Sequence, residues 1–280
     1  MTFAHVICGA AFVASATAAG AAASAAPVQP KTEARASVVS ALTPAKASVR
    51  IEYTDFSKLY GSRTILTADS KLGTGQATRY YVGLSAGQRR VSGVTRRAGQ
   101  AAFGIEHDWT NRLSSRTSAA VASNGSIFAK AQVAQDFSYE LGGGLVGTVG
   151  GKFATYGSNN DVTTWSAGAA YYLRGATLSY RFSLLDSSRL GHSTAHLGSF
   201  RLKDPGGRGA TQLWVGHGTS LYDVNLPQSA KGKFTSVALN REQPLGGGVA
   251  LNIGVGRNWY STPTGKYHGT GISFGFKFVD

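Results

Sequence analysis

The sequence predicts an all-β protein, a transmembrane antiparallel β-barrel of the bacterial outer membrane. Three observations lead to this prediction: apolar and polar residues alternate along the chain, the alternating segments are long, and turn residues recur between them. Residues 178–184, with the sequence LSYRFSL, show the alternation clearly. Because successive side chains of a strand point to opposite faces, such a segment has one apolar and one polar face.

A soluble β-sandwich produces the same alternation, with its apolar faces turned inward. The barrel is favoured because the segments are about 10–15 residues long, near the length of a tilted membrane strand, whereas soluble strands average ~5–6. The polar faces are rich in Gly, Ser, Thr, Asn and Gln instead of Lys and Glu. No uncharged run after residue 26 reaches the roughly 18 residues of a membrane helix.

Each predicted strand follows from one alternating segment bounded by turn residues. The predicted strands are residues 48–57, 61–72, 76–89, 96–110, 114–122, 126–140, 143–156, 162–174, 175–187, 191–204, 208–220, 233–244, 247–260 and 267–279. This gives about 14 strands, with 12 as the alternative. Alternate connections are tighter, and short periplasmic turns are typical of outer-membrane barrels. We therefore expect both chain ends in the periplasm.

The first 26 residues contain no Lys, Arg, Asp or Glu, and Ala23-Ser24-Ala25 supplies an A-x-A pattern. This predicts a secretory signal peptide over residues 1–25, with a retained membrane helix as the alternative. A flexible periplasmic lead-in follows over residues 26–47, and the barrel covers 48–280. The only cysteine, Cys8, lies in the signal segment, which excludes a disulfide scaffold.

The last predicted strand ends in alternating aromatics, Phe274, Phe276 and Phe278. An apolar, aromatic-ended last strand resembles the C-terminal signal of outer-membrane barrels. That resemblance implies the barrel-insertion machinery as a partner. The chain differs from the usual pattern because it ends on Val279-Asp280, and a plain edge strand is the alternative interpretation.

Several strand-and-turn segments resemble the YaiO family of outer-membrane barrel proteins. They are residues 53–62 (YTDFSKLYGS), the hairpin at 125–128 (GSIF), the pair 171–174 and 178–181, and residues 216–223 (GHGTSLYD). The resemblance covers about residues 48–280. It implies an outer-membrane barrel whose molecular activity is not established, with a link between some relatives and envelope polysaccharide.

The sequence predicts no catalytic, cofactor or metal site. His192 and His196 have a helical metal spacing, which on a strand places them some 13 Å apart. A barrel enzyme that modifies outer-membrane lipid is the alternative, for which His107 and His268 are the residues to test. Glu106 and Asp108 flank His107 but face the other side of the strand.

If the apolar face contacts lipid, the charged and amide side chains between those residues face the lumen. The candidate lumen-lining residues are Arg79, Glu106, Asp108, Lys130, Gln132, Asp136, Lys152, Arg181, Asn252, Asn258 and Lys277. Such a lumen is either filled by ion pairs and hydrogen bonds or open enough to select solutes. At about 14 strands we expect a narrow or closed bore, because open porins usually have ~16–18.

The formal charge of +14 suggests an anionic environment. Arg89, Arg90, Arg96 and Arg97 flank one predicted outer loop and form a candidate basic rim. Such a rim suits the phosphates of lipopolysaccharide or an acidic polysaccharide, and ordinary solvated loop charge is the alternative. Nucleic acid is not an expected partner of an exported barrel.

The expected function is a narrow outer-membrane channel or an accessory envelope protein linked to polysaccharide passage, and not an enzyme. The lipid-modifying barrel enzyme and a purely structural barrel are the alternatives.

Overall fold

The computed structural model describes residues 44–73, 77–156, 160–188, 191–206, 209–220, 232–263 and 265–279. These residues form one closed antiparallel barrel of 14 strands, each paired with its neighbours in the sequence. The first and last strands close it, for example through the register Ile51 opposite Phe274. The strand number and the closed all-β fold confirm the sequence prediction.

The strands are long, as a membrane-spanning barrel requires. They are β1 (Pro44–Phe56), β2 (Ser62–Leu72), β3 (Thr78–Val91), β4 (Val94–Asp108), β5 (Leu113–Ala122), β6 (Ala131–Gly142), β7 (Leu145–Tyr156), β8 (Asn160–Leu173), β9 (Ala176–Ser187), β10 (Gly191–Lys203), β11 (Ala210–Ser220), β12 (Gly232–Gly246), β13 (Val249–Thr262) and β14 (Gly265–Val279). A 3₁₀ turn, Lys58–Tyr60, lies between β1 and β2.

The two faces of the sheet differ in polarity, as the alternation predicts for a membrane barrel. The outer face is apolar and exposed: Trp165 is 63% exposed and Val121 is 61%. On the inner face, by contrast, Ser236 is fully buried. A soluble sandwich would bury its apolar face instead. The outward apolar surface therefore contacts the hydrocarbon of the membrane.

The chain termini define one end of the barrel, here called the terminal end, and the opposite end is called the distal end. Four of the terminal-end connections are tight, and that between β6 and β7 consists of Gly143 and Gly144 with φ of 61° and 83°. Glycine tolerates these positive φ values without steric cost. At the distal end, the predicted loop 90–95 is a two-residue turn, Ser92-Gly93, because β3 runs to Val91 and β4 begins at Val94.

The predicted strand 126–140 is wrong at its start, because β6 begins at Ala131. Residues 123–130 form a distal loop that folds into the barrel. Ile127, which the alternation predicted to face lipid, is therefore buried inside together with Phe128. The Asn124 side chain turns the chain here by accepting a hydrogen bond from the Ser126 amide (3.1 Å). Its own amide donates to the Arg97 carbonyl (2.8 Å), which anchors the turn to β4.

Two further sequence predictions concern the N-terminal region. The signal peptide over 1–25 lies outside the described residues, as does most of the lead-in over 26–47, although β1 begins at Pro44 and takes in the last part of that lead-in. Within the described ranges, no helix is long and apolar enough to cross a membrane.

Candidate functional site, the barrel lumen

A band of ionic side chains lines the lumen in the half of each strand nearest the terminal end. We call this band the charged girdle. It consists of Arg50, Asp69, Lys71, Arg79, Glu106, Asp108, Arg116, Asp136, Arg181, Arg201, Glu242 and Lys277. Their inward orientation follows from the alternation, because the residues on either side of them include exposed apolar side chains such as Ile105, Phe137 and Tyr180.

Arg79 on β3 organises the first part of the girdle. Its guanidinium donates to Glu106 (2.5 Å) and to both carboxylate oxygens of Asp108 (2.7 and 3.0 Å). The Tyr81 hydroxyl also donates to Glu106, and the Lys71 ammonium lies 3.7 Å from the same carboxylate. Charge-assisted hydrogen bonds of this kind hold both partners in fixed positions.

Arg181 on β9 and Asp136 on β6 form the second part. The Arg181 guanidinium reaches over β8 and β7 to donate to Asp136, and it donates to the Ser166 hydroxyl on the way (2.6 Å). Gly150 on β7 makes room for this pair, because a Cβ there would lie 1.8 Å from Asp136 Oδ1. Gly150 therefore provides the space that the ion pair occupies.

Glu242 on β12 is the centre of the third part. Its carboxylate accepts from the Lys277 ammonium (3.1 and 3.3 Å) and from the Arg201 guanidinium (3.3 Å), which reach it from β14 and β10. Between these charged groups the wall carries small polar contacts, such as Ser179 to Ser199 (2.8 Å) and Gln212 to Ser199 (3.2 Å). The girdle is therefore polar around its circumference.

The distal half of the lumen contains two packed apolar clusters, which the sequence analysis did not predict. One cluster joins Ile127 and Phe128 of the inward-folded loop to Ile65 and Ala98. Gly87 on β3 accommodates them, since a Cβ at this position would lie 2.8 Å from Ile127. The loop therefore packs against the backbone of β3 at Gly87, where no side chain is in the way.

A second apolar cluster contains Val162, Leu185, Ala195 and Phe234, with Phe234 only 1% exposed. The first cluster packs on β3, and Ala195 of the second cluster lies on β10. The closed strand order places β3 and β10 on opposite sides of the barrel. The two clusters therefore narrow the distal mouth from opposite walls.

Aromatic and basic side chains surround the same mouth near β1. Tyr267 stacks on Tyr60 (ring centroids 3.8 Å apart) and on Tyr260 (4.6 Å). Arg63 and Arg89 are directly opposite each other in the β2–β3 register, and both are buried. The Arg89 guanidinium lies 4.8 Å from the centroid of the Phe56 ring, a cation–π contact.

Of the candidate lumen-lining residues, ten have inward positions and one does not lie on a strand. Lys130 is exposed and precedes β6 at the distal end. The structure brings Arg79, Glu106 and Asp108 together, and it brings Asp136 and Arg181 together. Lys277 pairs with Glu242. Gln132, Lys152, Asn252 and Asn258 also have inward positions. Asn258 is buried, at 2% exposure.

The candidate basic rim is divided between the two faces of the sheet. Arg89 and Arg96 are opposite each other on the inner face, whereas Arg90 and Arg97 are exposed on the outer face. Arg97 donates to the Gln88 side chain (3.2 Å). The four arginines therefore do not form a single surface.

The two histidines singled out for an enzyme lie on the outer face. His107 Nδ1 is 2.8 Å from the Thr78 hydroxyl, and its ring packs edge to face on Trp109. Glu106 and Asp108 are bound to Arg79 on the inner face, as the alternation predicted. His268 is opposite Trp259, and its backbone amide donates a hydrogen bond to the Ser57 hydroxyl (3.0 Å). Within the described ranges no three His, Cys, Asp or Glu side chains are grouped as metal ligands would be.

The closed barrel, its lipid-facing apolar surface and its polar lumen define an outer-membrane β-barrel protein. The family model for the YaiO membrane beta barrel domain matches residues 44–223. The chain therefore belongs to the YaiO family, which confirms the resemblance found in the sequence.

Solved structures support the same fold. A protein described as a bacterial polysaccharide outer membrane secretin is 9% identical and has a TM-score of 0.54, with 84% of this chain and 98% of that chain covered. The CymD monoaromatic hydrocarbon channel is 7% identical and has a TM-score of 0.59, with 84% and 87% covered. At these identities the likeness shows the fold alone.

Proposed function

We propose that this protein is a narrow channel of the outer membrane that favours anionic solutes. The observation that carries the proposal is the direction of the ion pairs. In the charged girdle they connect strands at most three apart, as between Arg181 and Asp136, and follow the wall. A plugged barrel would instead connect opposite walls and fill its axis.

The solvent exposure of the girdle side chains supports an open path along the barrel axis. Arg181, Lys277 and Arg201 are 26%, 30% and 35% exposed, although they face the inside of the barrel. Ionic side chains that retain this much accessible surface border on solvent. Such a ring of charged groups selects ions by sign when they pass close to it.

The inner face carries more basic than acidic side chains. Its distal half adds Arg63, Arg89 and Arg96 to the charged girdle, and these three are in register on β2, β3 and β4. The Glu52 carboxylate, buried on the inner face of the neighbouring strand β1, offsets part of this charge. The basic excess that remains favours anions in the lumen.

The distal apolar clusters set the width of the proposed channel. Ile127 and Phe128 lie on a loop and not on a strand, so a change in their position would break no strand pairing. A constriction lined by apolar groups controls conduction by excluding water. We propose that this loop limits the flow of ions.

An acidic saccharide of the cell envelope is the proposed natural solute. Arginine binds carboxylates in bidentate geometry, and the stacked tyrosines beside Arg63 offer aromatic surface at the entrance. The name of the secretin that shares the fold mentions polysaccharide. Lipopolysaccharide and the barrel-insertion machinery remain proposed partners of the outer surface and of the C-terminal strand.

Conductance in planar lipid bilayers tests this function. We expect discrete current steps for the purified protein and, under a KCl gradient, a reversal potential that shows preference for chloride. Arg201→Gln with Lys277→Gln removes two cations beside Glu242 and shifts the preference toward potassium. Arg112→Gln with Arg174→Gln, at exposed turn residues of the terminal end, is the matched control and leaves the preference unchanged.

Two results would overturn the proposal. One is a protein that stays silent even when Ile127 and Phe128 are both replaced by Ser, which would favour a structural barrel or a lipid-modifying enzyme. The other is a conductance whose selectivity ignores Arg201 and Lys277. In the first case, lipid analysis of cells carrying His107→Ala or His268→Ala separates the two alternatives.

A further inference from the structure

A groove on the lipid-facing side of β12, β13 and β14 lies at their distal ends. Lys233 and Lys266 lie on either side of Ser261, each directly opposite it in the strand register. Nearer the middle of the barrel, Trp259 lies between Thr235 and His268 in the same way. The groove is lined by these six residues on its outer side.

These side chains face outward, on the same side as the apolar belt. They alternate with the inner-face residues Phe234 and Asn258, which are buried. On the three strands the outward series continues toward the middle of the membrane as Val237, Val255 and Ile272, which are all exposed. The groove therefore lies where the hydrocarbon region ends.

The groove concentrates positive charge. Neighbouring strands are about 4.8 Å apart, which puts the Lys233 and Lys266 backbones about 10 Å from each other across β13. Side chains of this length are long enough for both ammonium groups to contact one anion above Ser261, which would offset their mutual repulsion. The Arg257 guanidinium adds a third cation, 5.7 Å from the Trp259 ring centroid.

Among the residues that the structure describes around the groove, little acidic charge faces outward. Among the outward positions described on the neighbouring strand β1, Asp55 is the acid in register with β14, opposite Thr270. Through Thr270 it shares a row with Arg257, nearer the middle of the barrel than the row of Lys233 and Lys266. The groove therefore suits an anion from outside the chain.

Its place on the barrel identifies the kind of anion. A soluble phosphate has no reason to prefer the edge of an apolar belt, whereas a lipid puts its phosphate there and its acyl chains below. Trp259, 44% exposed, suits this boundary because tryptophan prefers the interface between hydrocarbon and water. The ligand chemistry is therefore a phosphate group attached to hydrocarbon chains.

We propose that this groove is a binding site for the phosphorylated headgroup of a glycolipid in the outer leaflet. Lys233 and Lys266 contact the phosphate, Ser261 donates its hydroxyl, and the acyl chains lie along Val237, Val255 and Ile272. The site is on the outside of the barrel, so it does not depend on conduction through the lumen. It does depend on the distal end facing the cell exterior.

Native mass spectrometry of the purified barrel, released from detergent micelles that contain bis-phosphorylated lipid A, tests the proposal. We expect one lipid to stay bound to the wild-type protein and the retained fraction to fall at least about tenfold in Lys233→Glu with Lys266→Glu. Arg112→Glu with Arg174→Glu makes the same charge change at exposed turn residues of the terminal end, and we expect it to change retention less than about threefold.

Three results would overturn the site. They are equal losses in the two double variants, equal retention of fully dephosphorylated lipid A, and displacement of lipid A by millimolar inorganic phosphate. Heat-dependent migration in SDS gels confirms that each variant is folded. Bilayer conductance of the Lys233/Lys266 variant separates this proposal from the channel proposal, because we expect it to match the wild type.

Discussion

The Arg181 guanidinium donates a hydrogen bond to the Asp136 carboxylate across two intervening strands, and the pair lies directly over the backbone of Gly150. Such a long reach along the wall requires that β7 and β8 present little side-chain bulk beneath it. Gly150 and Ser166 meet that requirement. The ion pair and the small residues below it are therefore one structural unit, and it can be tested from either side.

Gly150→Ala should destabilise the barrel by about 1–3 kcal/mol, because the added methyl group would overlap Asp136 and would lie 2.9 Å from the Gln135 carbonyl. Urea unfolding in lipid vesicles measures the effect. Gly147→Ala is the matched control, since its Cβ would meet only Leu141 at an ordinary 3.6 Å. Equal stability of both variants would show that the carboxylate does not lie over Gly150.

Replacement of both Ile127 and Phe128 by Ser should raise single-channel conductance roughly twofold or more, because it makes the apolar constriction polar and less bulky. Recording in planar bilayers measures the step size. Val133→Ser with Phe137→Ser changes two exposed outward residues and should leave the step unchanged. Unaltered conductance in the first variant would mean that the loop 123–130 does not narrow the pathway.

The Asp204–Arg241 pair should stabilise the barrel at neutral pH and stop doing so in acid. Arg241 donates two hydrogen bonds to Asp204 (2.6 and 2.5 Å), and this contact lowers the pKa of the Asp204 carboxyl below its ordinary value. A lowered pKa in the folded state gives stability that is present above the unfolded pKa, near about 3.9, and is lost as the pH falls through the folded pKa.

A double-mutant cycle with Asp204→Asn and Arg241→Gln measures this coupling through the free energy of unfolding at several pH values. We expect a small favourable coupling at neutral pH that declines once the pH falls below the unfolded pKa of about 3.9. A coupling that stays constant over this range would contradict the ionic nature of the contact.

Alternation alone predicted the strands, because the membrane and the lumen impose opposite polarity on adjacent residues. It failed at residues 126–130, where Ile127 and Ala129 continue the apolar series of Ala131 and Val133 in phase. What ends the strand is the Asn124–Ser126 turn, together with the gap that Gly87 leaves on β3. Asn124-Gly125-Ser126 is a turn signal, but a bare patch on a distant strand cannot be recognised before the register is known.

For the candidate site, the sequence predicted which side chains face the lumen, but it did not predict which of them pair with one another. Arg79, Glu106 and Asp108 were assigned to the lumen from parity alone. Their contacts depend on the β3–β4 register, in which Arg79 lies opposite Glu106. The same alternation places Arg89 and Arg96 on the inner face and Arg90 and Arg97 on the outer face. The sequence analysis grouped these four arginines because they are close in the sequence, without considering their faces.

Both the fold and the proposed channel require that membrane hydrocarbon surrounds the outward apolar residues. Single cysteines at residues 178–184, in a background with Cys8→Ser, can carry nitroxide spin labels in a lipid-reconstituted sample. We predict high oxygen accessibility at 178, 180, 182 and 184, and low oxygen accessibility at 179, 181 and 183. The membrane-spanning barrel would be contradicted by a protein that folds in buffer without detergent. In that protein, residues 178, 180 and 184 would be shielded from oxygen and from water-soluble relaxation agents.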